Sequence, residues 1–167
     1  MKRTIILAMA AILAVTATAS AQSAIFVVRH AERADAGAGA SPMMATDPDL
    51  SEAGKARAQS LAAALRDAGI TAIYTTEYKR TRQTAEPLAK ALGIEVTAVP
   101  ARDMAALIQK LKSSAGKALV VGHSNTVGEV IAKLGVADPV KLTDNDYDNL
   151  FVVVQGEKPT LVRLHFR

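Results

Sequence analysis

The chain contains no cysteine. Disulfides, thiol nucleophiles and thiolate metal sites are therefore excluded, and stability has to come from the packed core. Aromatic residues make up only 4% of the sequence, and no dense basic run accompanies them. Base stacking and phosphate-backbone binding both lack their residues, so nucleic acid is not an expected partner. Histidine is scarce as well, with three in all. They form no His-x-His or His-x-x-x-His pair, and no carboxylate cluster stands at ligand spacing, so neither a metal nor another cofactor is expected. The fragment Gly37-Ala38-Gly39 follows no strand and lacks a third glycine, which excludes a dinucleotide fingerprint. No apolar run reaches the roughly 20 residues that a membrane-spanning helix needs.

What remains is aliphatic. Half of the 167 residues are apolar, so the core is built from Ala, Val, Leu and Ile. The first 21 residues stand apart. Lys2 and Arg3 precede an uncharged apolar run from Ile5 to Val15, and Ala19-Ser20-Ala21 supplies a small-residue cleavage site. This is the layout of a secretory signal peptide, so residues 1–21 are expected to be removed and 22–167 to form a single domain. No cysteine follows that would carry a lipid. Removing Lys2 and Arg3 from 20 basic residues, against 16 acidic ones, lowers the net charge from +4 to +2. A periplasmic or secreted protein without a stable membrane anchor is expected.

Strand-like apolar runs occur at 24–28, 71–75, 94–99, 118–121, 150–154 and 160–166. Helical spacing of apolar residues occupies 51–68, 81–92, 103–112 and 125–134. Ser51 is a candidate N-cap, and Gly69 and Gly93 are candidate C-terminal glycines. Strands alternating with helices predict an α/β fold, a three-layer sandwich with a mostly parallel central sheet and helices on both faces. The short QGEKP link between the last two strands predicts a hairpin, hence an antiparallel edge strand. Residues 34–49 are the one long irregular segment, either a flap or a solvated loop.

The chemistry collects at strand ends. Arg29-His30-Ala31-Glu32-Arg33 follows the first strand, Glu77-Tyr78-Lys79-Arg80 the second, and Gly122-His123-Ser124-Asn125 the fourth. In a parallel α/β sheet, ligands bind outside the carboxyl ends of the strands, so these segments share one rim. Arginines repel one another, and their donor forks suit phosphate oxygens, so a phosphate is expected between them. Helices beginning near Thr81 and near Asn125 add amide donors and positive dipole ends. A neutral histidine beside a bound phosphoryl group can attack phosphorus and carry the group covalently, while a second stabilises the charge on the oxygens. His165, away from the rim, is read as structural, and Glu32 as a partner for an arginine.

The segments VVRHAER, DLSEAGKARAQSLA, YTTEYKRTRQTAEPLA and VVGHSNTV, in that order, resemble the histidine phosphatase superfamily, which includes the phosphoglycerate mutases. The resemblance covers nearly all of 22–167 and suggests a small branch without a cap. It implies His30 as the phosphorylated nucleophile, Arg29 and Arg80 as phosphoryl ligands, and His123 completing the pocket. Arg33 matches a phosphate-binding arginine of the acid phosphatase branch. Ala31 stands where the family usually has Gly, a small departure. Two others matter more: Ser124 replaces the proton-donating Asp of acid phosphatases, and 83–97 leaves no room for the glutamate insertion of the mutases. Glu77, at the same rim, is the best candidate for the missing acid, its alternative being a solvated turn residue. A phosphatase acting on a small phosphorylated molecule is the resulting expectation. Its rivals are a mutase-type phosphoryl transferase and a non-catalytic phospholigand-binding protein.

Overall fold

A computed structural model describes residues 23–35, 47–114, 116–143 and 145–167. The expected signal peptide and most of the 34–49 segment lie outside the described residues. Ten elements follow in chain order: β1 (Ala24–Arg29), α1 (Glu52–Leu65), β2 (Ile70–Thr75), α2 (Lys79–Leu92), β3 (Val96–Ala98), α3 (Met104–Ser113), β4 (Lys117–Gly122), α4 (Ser124–Lys133), β5 (Asn149–Val154) and β6 (Thr160–His165).

The strands form one sheet in the order β3-β2-β4-β1-β5-β6. β1, β2, β3 and β4 run parallel, β5 is antiparallel to β1, and β6 pairs back on β5 as a hairpin. The sheet is thus mostly parallel with an antiparallel side, as the element pattern predicts. Alternation within β1 and β4 shows why both faces are covered. Val28, Leu119 and Val121 pack against Leu61 and Leu65 of α1 and Leu88 of α2. Ile25, Val27 and Val120 pack on the other face against Leu111 of α3 and Val127, Val130 and Ile131 of α4. Each fully buried aliphatic side chain contributes about 1.5–3 kcal/mol, so a core almost without aromatics is sufficient.

The boundaries differ from the sequence pattern where a partner from elsewhere intervenes. Ser51 caps α1 as expected, its hydroxyl accepting from the Gly54 amide at 3.0 Å. α1 stops at Leu65 rather than at 68, and a tighter turn, with the Ala68 amide on Leu65 O at 3.0 Å, leads into β2. α2 begins at Lys79, before Thr81, because the Asp47 carboxylate accepts the Lys79 amide at 3.0 and 3.2 Å. β3 is shorter than 94–99 because the Ile94 amide is used to close α2 on Ala89 O. Gly93 ends that helix at φ 65°, the left-handed conformation that glycine adopts at least cost. Among the described residues, no helix is long and apolar enough to cross a membrane.

Candidate active site

The strand register brings the two rim histidines together. Arg29 is paired with Gly122 across β1 and β4, so the next residue on each strand is a histidine. The His30 amide donates to Gly122 O at 2.9 Å, and the two rings lie 5.3 Å apart at 64°. Gly122 is required here, because a Cβ would come within 2.8 Å of Thr126 Oγ1. That hydroxyl accepts the His123 amide at 2.8 Å and fixes the turn into α4.

His30 is 4% exposed. Its Nδ1 lies 2.8 Å from Ala31 O. A carbonyl only accepts, so Nδ1 carries the proton and Nε2 keeps a bare lone pair. The Ala31 peptide is held in turn, its amide donating at 2.9 Å to Thr84 Oγ1, which donates at 2.7 Å to Arg80 O. Burial lowers the His30 pKa most, the Ala31 bond opposes it, and the charges of His123, Arg29 and Arg80 lower it further, to about 3. His123, 9% exposed, is pushed down to about 4, first by burial and then by Arg80, with Glu77 opposing. Both rings are therefore neutral near pH 7.

The arginines are held in different ways. The Arg29 guanidinium is buried, donates to Thr143 O at 2.8 Å and lies 4.2 Å from the centre of the Tyr147 ring. Arg80 stacks 4.3 Å from the centre of Tyr78 and meets Asp47 at 3.6 Å. Its buried Nε has no hydrogen-bond partner among the described residues. Burial lowers the Arg80 pKa, and repulsion from Arg33 adds to this. Arg33 itself pairs with Asp35 at 2.9 Å. Its charge is felt at Arg80 and His123, which puts it beside the cluster.

Three sequence expectations are refined. The amino end of α2 does not stand open to a phosphate, since Asp47 already occupies the Lys79 amide and approaches Arg80. Glu77 does lie at the rim, and its charge reaches His123. Its carboxylate, however, accepts the Ala101 amide at 2.8 Å, which ties it to the approach to α3. Glu32 is indeed an arginine partner, and the arginine is Arg57, with contacts of 2.6, 2.8 and 2.9 Å. Burial, the largest influence, raises the Glu32 pKa, but the Arg57 hydrogen bonds, a backbone hydrogen bond and the charges of Arg57 and Arg29 together outweigh it, and the net shift is downward. His165 is half exposed and pairs with Asp148 at 3.2 Å.

Sequence reasoning missed Tyr78, Tyr147, Thr76, Thr81 and Asp47. The tyrosines had a signal: they are two of only six aromatic residues in the chain, Tyr78 in a rim segment and Tyr147 in the stretch just before β5. Their rings lie 5.4 Å from His123 and 6.3 Å from His30, respectively.

A mostly parallel α/β sheet with paired histidines and arginines at its carboxyl rim defines a class of phosphoryl-handling proteins, and known proteins agree. Residues 25–103 match the model of the histidine phosphatase superfamily (branch 1). The protein histidine phosphatase SixA, solved with tungstate, superposes with a TM-score of 0.68 at 19% identity, covering 85% of this chain and 96% of its own. A mycobacterial glucosyl-3-phosphoglycerate phosphatase, solved with inorganic phosphate, gives 0.64 at 15% identity, with 84% and 95% covered. YhfR of Bacillus stearothermophilus also gives 0.64 at 15% identity, with 84% and 95% covered. No curated protein sequence matches the chain. Residues 25–103, a little under half of the chain, thus match that superfamily, and the solved structures share the fold. Phosphatase activity in general is what this match supports.

Proposed function

We propose that the protein is a metal-independent phosphatase that hydrolyses a phosphomonoester, or a similar phosphoryl compound, through a phosphohistidine on His30. The observation that carries this reading is the Nδ1–Ala31 O hydrogen bond, which leaves Nε2 of a neutral, buried imidazole as the nucleophile. In the first step the Nε2 lone pair forms a bond to phosphorus while the bond to the leaving oxygen breaks. That oxygen takes a proton and departs. In the second step water adds to phosphorus, the P–N bond breaks and inorganic phosphate leaves. Arg29, Arg33 and Arg80 offset the charge on the phosphoryl oxygens, and His123 completes the pocket, which is how phosphoryl transfer is mostly catalysed. Glu77 is the acid for poor leaving groups. Compounds with good leaving groups, phosphohistidine among them, need none.

The amino-terminal pattern of Lys2-Arg3, apolar run and Ala19-Ser20-Ala21 supports export to the periplasm or beyond. There the partner is a small phosphorylated molecule rather than a nucleic acid. The experiment is phosphate release from a generic aryl phosphate by the purified protein and by His30→Ala. A loss of at least about a thousandfold is expected in the variant, with an unchanged circular dichroism spectrum. Equal release by both proteins would remove His30 from the chemistry.

A further inference from the structure

The rim carries a short ladder of hydroxyls that the two-step scheme does not use. Thr81 is fully buried, and its hydroxyl lies 2.8 Å from Tyr78 O and 3.2 Å from Thr76 O. Its oxygen is also 2.9 Å from Thr76 Oγ1. Thr76 Oγ1 in turn lies 3.1 Å from His123 Nε2. Each hydroxyl has one proton to give. A hydroxyl oxygen 2.8 Å from a carbonyl oxygen needs a proton between them, and only Thr81 can supply it. Back-bonding of this kind from the first turn of a helix is common for threonine. The Thr76–Thr81 contact then has to be bridged by the Thr76 proton. Thr76 has none left for the ring, so the remaining contact is bridged by a proton on His123.

We propose that Thr81, acting through Thr76, is a positioning residue that fixes His123 as its Nε2–H tautomer. The two histidines of the site are then complementary. His30 is protonated on Nδ1 and offers a bare Nε2, whereas His123 keeps an N–H at Nε2 that rests on Thr76 Oγ1 at 3.1 Å. An arriving anionic oxygen is a stronger acceptor than a hydroxyl and can take that N–H from Thr76, whereas a bare lone pair at that nitrogen would repel it. The tautomer follows from the hydrogen-bond geometry, and its use in catalysis rests on the phosphatase reading given above. Both rings are neutral near pH 7, so the tautomer is a defined state there. Two further buried threonines flank the ladder without joining it: Thr84 accepts the Ala31 amide, and Thr75 Oγ1 has no hydrogen-bond partner among the described residues.

The test is the imidazole 15N spectrum of the protein labelled at histidine and free of phosphate, near pH 7. Only three histidines need assignment. The wild type is expected to show His30 protonated on Nδ1 and His123 on Nε2. Thr81→Val keeps the volume but removes the acceptor, so Thr76 turns its proton to the ring and His123 switches to the Nδ1–H form. A fall of about tenfold to a hundredfold in kcat/KM for an aryl phosphate should accompany the switch. Thr81→Ser keeps the hydroxyl and should keep both the tautomer and most of the activity. His123 protonated on Nδ1 in the wild type would overturn the proposal, with no variant required. So would a folded Thr81→Val protein that keeps the Nε2–H signal. The tautomers as described, in a protein that releases phosphate from no substrate, would leave the ladder standing and overturn the phosphatase reading instead.

Discussion

Burying two neutral histidines among arginines makes the fold sensitive to mild acid. In the unfolded chain each imidazole titrates near its ordinary value of 6.5, whereas in the fold His30 titrates at about 3 and His123 at about 4. Between those values and 6.5 the unfolded chain holds more protons, so stability is fully present above pH 6.5 and falls as the pH is lowered. Each group costs about 1.4 kcal/mol per pH unit across that window, so at about pH 5 each removes about 2 kcal/mol and the pair about 4. That is a large part of the ~5–15 kcal/mol holding a typical domain. The assay is urea unfolding at about pH 7 and about pH 5, performed on the wild type and on His30→Gln/His123→Gln. His165 and the carboxylates are common to both proteins and cancel in the comparison. The wild type should lose several kcal/mol and the double variant almost none. An equal acid loss in both would refute the reasoning, because the two rings would then be charged or solvated in the fold.

Three further outcomes are expected. Glu32→Gln, which breaks the charged clasp to Arg57 next to the histidine loop, should cost about 1.5–3 kcal/mol in urea unfolding; a loss under about 0.5 kcal/mol would make the clasp a solvated pair of little worth. Asp47→Asn keeps an oxygen for the Lys79 amide but removes the negative charge beside Arg80. Inorganic phosphate should then inhibit roughly threefold to tenfold more strongly, and an unchanged inhibition constant would show that Asp47 does not compete for Arg80. Glu77→Gln should slow alkyl phosphates more than aryl phosphates by about tenfold or more, and an equal effect on both would end its candidacy as the acid.

The strand and helix pattern carried most of the architecture because both faces of β1 and β4 are buried, and such strands are written as uninterrupted apolar runs. Parallel pairing of β1 with β4 then brings His30 and His123 together, although 93 positions separate them. Asp47 at the head of α2 was illegible because its partner amide lies 32 residues away, beyond any local capping signal. The hydroxyl ladder was hidden for a different reason. Buried threonines in a strand end and a helix start read as ordinary β-branched and cap residues, and their role depends on distances of a few tenths of an ångström. Tyr147 reaches Arg29 from the stretch just before β5, and no local pattern marks a cation–π contact that crosses 118 positions. Glu77 was placed at the right rim, but its bond to the Ala101 amide depends on how the approach to α3 folds back.

The central claim is a covalent phosphohistidine on His30. It is tested most directly by mixing the purified protein with a radiolabelled phosphomonoester, quenching rapidly in alkali and locating the label. The account predicts an alkali-stable, acid-labile label on the wild type, the same label on His165→Ala, none on His30→Ala, and free phosphate released as the label decays. Label retained on His30→Ala, or phosphate released by that variant at the wild-type rate, would contradict it.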